Sequence, residues 1–477
     1  MPREHAILVT LLVYQVALIA IGIWANRRTH DDNDFFLGGR RLGSWVAALS
    51  ASASSSSAWT LLGVSGAAYA WGLSALWLFP ATVSGFLINW LWVAPRLMRM
   101  SREGGSLTLT EFLAGERRER LYPSIMRLAS IAILFSFLFY IASQFQAAGH
   151  AFAASFGLTP HLAIGLGVVI IVVYTLLGGF WAVSVTDTLQ GLLMAAAAIF
   201  LPLVALVEVG GFGELVDGLR RVSSTGQLSL TRDYPGILGL AFILGTLGIG
   251  IGYPGQPHVV NRFMALRDRQ ALVRGRVIAI AWAVVIYSGM LLLGLAGHVL
   301  WTSVPSSEQI FFEAANRLLH PVLAGIMVAA VLSAIMSTAD SQLLVASSSI
   351  SWDWRQAGRG AATQAGARGL SATRIVVVMV SLISMLLAMF APAAIFSRVL
   401  FAWSAMGSAF GPLLLVRLAG YRVAPAAVLT SIAAGFGLTI VAHLLPDAPG
   451  DWIERLVPFG IALLISIGGA SRGARTA

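Results

Sequence analysis

Apolar residues run in blocks along nearly the whole chain, parted by short polar turns. Thirteen blocks are long enough to be read as membrane-crossing helices of about 20 residues. They fall at about 5–25, 43–72, 75–98, 122–152, 159–181, 184–208, 234–258, 273–301, 318–350, 371–391, 393–419, 424–445 and 453–471. Two of them are interrupted from within. Span 2 contains LSASASSSSAWTLLG, in which six of the eight residues from Ser50 to Ser57 are serine, and Gly63, Gly66 and Gly72 follow. Span 7 contains Gly245, Gly248, Gly250, Gly252, Pro254, Gly255 and Pro257. Interior glycine costs a helix ~1 kcal/mol and proline ~3 kcal/mol relative to alanine, so both spans are predicted to be broken. They lie five spans apart and enter from opposite sides. Paired broken segments in two inverted halves point to the binding site of a secondary transporter. The implied repeats are spans 2–6 (43–208) and spans 7–11 (234–419), with 1–42 and 420–477 peripheral.

Composition agrees with this all-α, polytopic membrane architecture. The 477 residues are 57% hydrophobic and 11% charged, with a mean hydropathy of +0.82. A soluble domain carries roughly 25% charged residues. A membrane β-barrel would show short alternating segments rather than unbroken apolar runs. All 31 basic residues are arginine, which removes lysine chemistry, and the absence of cysteine removes thiol and iron–sulfur chemistry. The net charge of +10 suggests nucleic acid only until the arginines are located. Arg27, Arg28, Arg40 and Arg41 follow span 1, Arg96 to Arg120 follow span 3, and Arg262 to Arg276 follow span 7. Arg355, Arg359 and Arg368 follow span 9, Arg417 and Arg422 flank the turn after span 11, and Arg472 and Arg475 end the chain. Loops after even spans are poorer in arginine. The positive-inside rule then puts the amino terminus outside and the carboxyl terminus in the cytoplasm. The first apolar run is long and lacks a small-residue cleavage site, so it is expected to be a retained span.

Two carboxylates fall inside spans: Asp187 in GGFWAVSVTDTLQGLL and Asp340 in AVLSAIMSTADSQLLVASSSI. A carboxylate in a bilayer needs a partner, and no span offers a well-placed arginine, so a cation or a proton is the economical one. Alternatively, Asp187 is simply hydrated near the end of span 6. Span 9 adds Ser333, Ser337, Thr338, Ser341 and Gln342, with Ser337 and Ser341 four apart on one face. Hydroxyls and the free carbonyls of a broken helix are hard, uncharged donors that suit sodium, whereas calcium or magnesium would call for more carboxylates. Serines in membrane helices also permit close helix packing, which is the structural alternative. Gln144 lies mid-span, and Tyr253 and Gln256 lie on broken span 7, where a solute is expected. The GIGIG stretch has no strand before it and is not a dinucleotide motif. GGFGELVDGLRRVSS reads as an external amphipathic segment.

FFLGGRRLGSW, LGGFWAVSVTDTLQ, GYPGQPHVVNRFMA and WSAMGSAFGPLLL together resemble the sodium:solute symporter family, in particular its bacterial sodium/proline branch. The resemblance implies a leucine-transporter-type 5+5 inverted repeat and sodium-coupled symport of a small solute such as proline, with no cofactor. It implies a cation site from the carbonyls of Ala53, Ser56 and Ala334 and the hydroxyls of Ser337 and Thr338. A second cation site or exit route would use Asp187, Asp340 and Ser341, with Ser337 beside them. Substrate would meet Ser55, Ser57, Tyr140, Gln144, Ile249, Tyr253 and Pro257. Two positions depart from the family pattern: Ser55 stands where an aspartate is usual, and Ile249 where a tryptophan is usual. Proton coupling through Asp187 or Asp340 is the alternative within the same class of function, and a sensor that keeps the fold without transport is the alternative from a different class. No nucleophile–base pair is present to suggest an enzyme.

Overall fold

The structure, a computed structural model, describes residues 3–26, 37–177, 180–354 and 367–472. All thirteen predicted stretches are helical, and they are labelled here by span. They begin with α1 (Arg3–Asn26), α2a (Ser44–Ala58), α2b (Trp59–Val64 and Ser65–Trp71) and α3 (Leu78–Leu87 running on to Glu103). There follow α4 (Tyr122–Phe156), α5 (Pro160–Leu177), α6 (Phe180–Val209), α7a (Gly236–Ile251), α7b (Pro257–Met264) and α8 (Arg269–Leu300). The chain continues through α9 (Pro321–Ser348), α10 (Ala367–Phe390), α11 (Ile395–Leu418), α12 (Pro425–His443) and α13 (Trp452–Gly468). Among the described residues nine helical stretches are long and apolar enough to cross a membrane, α2 and α3 counting as one stretch of 60 residues.

Hydrogen bonds between loops sort the two ends of the bundle. At one end the backbone N–H of Leu42 donates to Ala265 O at 3.1 Å and that of Arg267 to Leu42 O at 2.9 Å. Arg40 donates to Ser106 O at 2.8 Å, and Arg102 to the carbonyls of Leu266 and Arg267. The connections after α1, α3 and α7 therefore meet. At the other end Trp77 Nε1 donates to Leu230 O at 3.0 Å, and Gln227 Nε2 to Ala70 O at 3.2 Å. The arginine-rich connections thus share an end, as the alternation of charge predicts. Arg27, Arg28, Arg355, Arg359 and Arg475 lie outside the described residues. The segment read as amphipathic contains a helix (Phe212–Val222) that buries Leu215 and Leu219 and exposes Phe212 and Val216. A short antiparallel pair, β1 (Tyr421–Val423) with β2 (Ala470–Arg472), has no counterpart in the sequence reading.

Both expected breaks occur, but their causes differ from the expectation. Gly63 and Gly66 do not break α2 and Gly72 (φ 64°) only ends it; the interruption falls inside the serine run, at Ser57, with φ 52° and ψ −176°. In α7 the helix runs through Gly245, Gly248 and Gly250, and stops only at Gly252 to Gln256. Those glycines are packing positions. A Cβ on Gly245 would lie 2.3 Å from Gly450 O, one on Gly248 would lie 2.9 Å from Leu456, and one on Gly250 would lie 2.4 Å from Ala81 O. Close approach of α3, α13 and the turn that leads into α13, rather than helix termination, requires them. The termination itself comes from the prolines: Pro254 sits in a single 3₁₀ turn (Tyr253–Gly255), and Pro257 starts α7b at the first helical position, where its missing N–H costs nothing.

Candidate cation and substrate site

The serine-rich α2a is buried on every side, from Ala47 to Ala58. A backbone break at such depth must satisfy its polar groups within the protein. At the α2 break Ala58 N–H donates to Gln144 Oε1 at 3.0 Å, and Trp59 N–H to Ser57 Oγ at 3.1 Å. The amide of Gln144, carried on α4, thus replaces a lost helical acceptor. The positive φ of Ser57, sparsely populated for a residue with a side chain, is held by these two bonds and by Tyr140, whose hydroxyl donates to Ser57 Oγ at 3.4 Å. At the α7 break the loose carbonyls are taken by side chains. Gln256 Nε2 reaches Gly252 O and Trp403 O, both at 3.0 Å, Asn89 Nδ2 reaches Tyr253 O at 3.2 Å, and Trp403 Nε1 reaches Ile249 O at 3.2 Å.

The hydroxyl face of α9 lies against this break. Thr338 Oγ1 donates to Ser54 O at 3.1 Å and approaches Ala53 O at 3.4 Å. Ser54 Oγ lies 3.1 Å from Ser337 O and 3.0 Å from Ser341 Oγ. Of the predicted cation ligands, Ala53, Ser337 and Thr338 are therefore gathered at one crossing of α2a and α9. The carbonyl of Ala334 takes the hydroxyl of Ser337 at 3.3 Å. That of Ser56 accepts the hydroxyl of Thr60, across the break on α2b.

Among the predicted substrate residues, Ser57, Tyr140 and Gln144 meet at the α2 break. Tyr253 sits across from them, its hydroxyl 3.2 Å from that of Tyr287, which is 3.4 Å from Thr60 Oγ1. Its ring packs edge-on to Trp403 with centroids 4.6 Å apart. Pro257 is buried at the start of α7b. Ser55 is not in this group: its hydroxyl folds back onto Ser52 O at 2.9 Å. Ile249 enters through its carbonyl, bonded to Trp403. His258 lies edge-on between the rings of Phe137 and Tyr140, with centroids at 5.4 and 6.0 Å.

The partner of Asp187 is a correction to the sequence reading. Arg262, assigned to a loop, is carried inward by α7b and buried to 1% exposure. Its Nη2 donates to Asp187 Oδ2 at 3.0 Å and to Ser341 Oγ at 2.5 Å. Its Nε donates to Ser50 Oγ at 2.9 Å, and its Nη1 to the carbonyl of His258. Ser50 Oγ in turn donates to Asp187 Oδ2 at 2.7 Å. Asp187 is completely buried, so the alternative of a hydrated carboxylate does not hold. Asp187 and Ser341 do come together, but around a guanidinium. Asp340 joins them only through Ser341, whose hydroxyl is 3.4 Å from Asp340 Oδ1. Arg262, Ser50, Ser54, Tyr287 and Trp403 carry much of this geometry and were not singled out from sequence. Tyr14 was missed too: from α1 its hydroxyl meets Ser333 Oγ at 2.5 Å.

Toward the other end of the bundle the site faces a cavity of about 510 Å³ whose lining includes Gly63, Trp71, Gln146, His150, Glu308 and Phe396. The carboxylate of Glu308 accepts the backbone N–H groups of Ile395 at 3.0 Å and Phe396 at 2.7 Å, capping α11. Burial pushes its pKa up, and those two N–H groups oppose the shift. Phe396 packs on Trp59 and Trp71, with centroids at 5.7 and 4.9 Å, and so floors this cavity above the α2 break.

Comparison with known proteins supplies the family. The chain is 35% identical over 460 residues to the high-affinity proline transporter PutP of Bacillus subtilis, covering 94% of each. It is 35% identical over 447 residues to the sodium/proline symporter of Escherichia coli, covering 91% of this chain and 87% of that one. Among solved structures, a substrate-bound, outward-open Na⁺-coupled sialic acid symporter superposes with a TM-score of 0.81 at 18% identity, over 98% of this chain and 99% of that one. A nucleobase-cation-symport-1 family transporter, MHP1, superposes with a TM-score of 0.56 at 14% identity, over 91% of this chain and 93% of that one. These likenesses establish the fold as an all-α membrane bundle of the leucine-transporter type. The pattern of the sodium:solute symporter family matches residues 35–435, and the chain belongs to that family.

Proposed function

We propose that the chain couples sodium entry to the uptake of proline by alternating access across the cytoplasmic membrane. The observation that carries this reading is the crossing of α2a and α9, where the Thr338 hydroxyl bonds the carbonyls beside a buried helix break. In this reading the carbonyls of Ala53, Ser56 and Ala334 and the hydroxyls of Ser337 and Thr338 hold sodium. Proline lies against Ser57, Tyr140, Gln144, Tyr253 and Pro257. The inverted repeats are 43–208 and 234–419, the amino terminus is outside, and the arginine-rich end is cytoplasmic.

The mechanism follows from the donor set. A hydroxyl that donates to a carbonyl blocks the lone pairs a cation needs. Sodium entry therefore requires Thr338 to turn its proton away and leave its oxygen and the carbonyls free. That fixes the α2a–α9 distance and, through Ser57 one turn on, the conformation of the break where Tyr140 and Gln144 converge. Sodium thereby favours the solute-competent state, and solute favours sodium binding to the same degree.

The test is uptake of labelled proline into proteoliposomes, under an inward sodium gradient or a proton gradient alone. Sodium-driven uptake is expected. Uptake driven by the proton gradient alone would favour coupling through the buried carboxylates, and no uptake with either gradient would discard proline. Ser337→Ala and Thr338→Ala are each expected to raise the sodium concentration for half-maximal uptake about tenfold, equivalent to about 1.4 kcal/mol. Unchanged sodium dependence in both variants would move the cation site elsewhere.

A further inference from the structure

Arg262 is the most deeply buried arginine among the described residues. Its guanidinium lies where the second cation is expected, because its partners are the oxygens that cation would take. Asp187 Oδ2 is at 3.0 Å, Ser341 Oγ at 2.5 Å and Ser50 Oγ at 2.9 Å, contributed by α6, α9 and α2a. Ser54 Oγ completes the ring, 3.3 Å from the same carboxylate oxygen and 3.0 Å from Ser341 Oγ. The Phe180 ring faces the guanidinium with its centroid 5.4 Å from Cζ, a cation–π contact. Asp187 Oδ1 and Asp340 Oδ2 accept no hydrogen bond from any described residue, so further carboxyl oxygens are at hand for a cation once the guanidinium is removed. On the side facing the arginine-rich end lies a cavity of about 20 Å³, room for about one water, lined by Thr108, Asn261, Arg262, Ser341 and Ser348. The arginine is carried on α7b, beyond the break, so its head group is placed by the bend between α7a and α7b.

We propose that Arg262 is a tethered cation that fills the position formed by Ser50, Asp187 and Ser341. A mobile cation is thereby kept out of this position. This proposal rests on the reading of the chain as a sodium-coupled proline transporter. The charge of Arg262 does what a second sodium would do: it neutralises Asp187 and ties α2a, α6 and α9 together. Being covalently held, it cannot be released to the cytoplasm, so its position adds no driving force from the sodium gradient.

The test counts ions directly. Purified wild-type protein in detergent is dialysed to equilibrium against radioactive sodium, and the sodium dependence of labelled-proline binding is measured alongside. The wild type is expected to bind about one sodium, and Arg262→Gln and Arg262→Met, which remove the charge but keep the bulk, about two, with a steeper sodium dependence of proline binding. Added guanidinium chloride is expected to displace only the extra ion, and Arg262→Lys to bind one. A second saturable sodium in the wild type overturns the proposal, and that measurement needs no variant to fold. An unchanged sodium count in a folded charge-free variant overturns it as well. Sodium bound without any proline binding would instead mark failure of the proline reading, because the ion count does not depend on the solute.

Discussion

Proline uptake by an Asp187→Asn variant is expected to fall about a hundredfold or more, with a lower melting temperature in detergent. The reason is the charge left behind. Asp187 Oδ2 accepts from Arg262, Ser50 and Ser54 at 3.0, 2.7 and 3.3 Å, and the side chain is completely buried. Breaking one side of a buried ion pair costs roughly 3–5 kcal/mol, since the remaining charge is neither hydrated nor neutralised. The functional loss has a further cause: Asp187 is the anion around which α2a, α6 and α9 are bonded, so the α2a–α9 crossing loosens with it. Combining Asp187→Asn with Arg262→Gln removes both charges and is expected to recover most of the melting temperature but little of the uptake. A double variant no more stable than the single one would show that the pair is not coupled. Normal uptake by Asp187→Asn would remove this residue from the transport machinery.

A Gln144→Leu variant is expected to lose roughly 1–3 kcal/mol of stability, the cost of leaving the buried Ala58 N–H without an acceptor. It is also expected to weaken proline binding by about tenfold or more, because the break at Ser57 is held partly by this bond. Gln144→Glu keeps an acceptor oxygen in the same place and is expected to retain more of the stability than the leucine variant. Thermal melting and equilibrium proline binding on the three proteins decide this. Equal losses in both variants would assign the effect to the amide's other contact, its Nε2 bond to Ser143 Oγ at 3.1 Å.

Hydropathy made the thirteen helical stretches legible because an apolar helix in lipid needs nothing but its own residues to satisfy its backbone. The two breaks were legible as well, but for a partly mistaken reason. Gly245, Gly248 and Gly250 look like helix breakers in one dimension, whereas in three dimensions each faces a neighbouring element that a side chain would strike. Sequence alone does not say which helix comes close. The buried hydroxyl face of α9 was readable from the spacing of Ser337 and Ser341, and Asp187 from its isolation among apolar residues. Arg262 was not, because the span was taken to end at residue 258. A helix restarted by Pro257 carries the next turn back inside, and only the Asn-Arg-Phe-Met run on α7b hints at it. Ser55 was misread in the opposite sense. The family resemblance implied a role in the site, but a serine hydroxyl in a helix can also bond the carbonyl three residues earlier, and here it does.

The glycines at the α7 break have one more effect. A Cβ on Gly255 would lie 2.7 Å from the Cα of Gly407, and one on Gly407 would lie 2.7 Å from the Cα of Gly252, so two main chains touch with no side chain between them. Such a contact has no slack. Side chains yield by changing rotamer, but main chains in contact can only roll or separate. On the other flank of the same break the contact is made by the one long, rotatable side chain of Arg262, whose bonds to Asp187, Ser50 and Ser341 can let go one at a time. The bend in α7 thus has a stiff edge against α11 and a compliant edge against α2a, α6 and α9. A body so mounted is expected to pivot about its stiff edge, with the compliant edge swinging farthest and carrying the guanidinium with it.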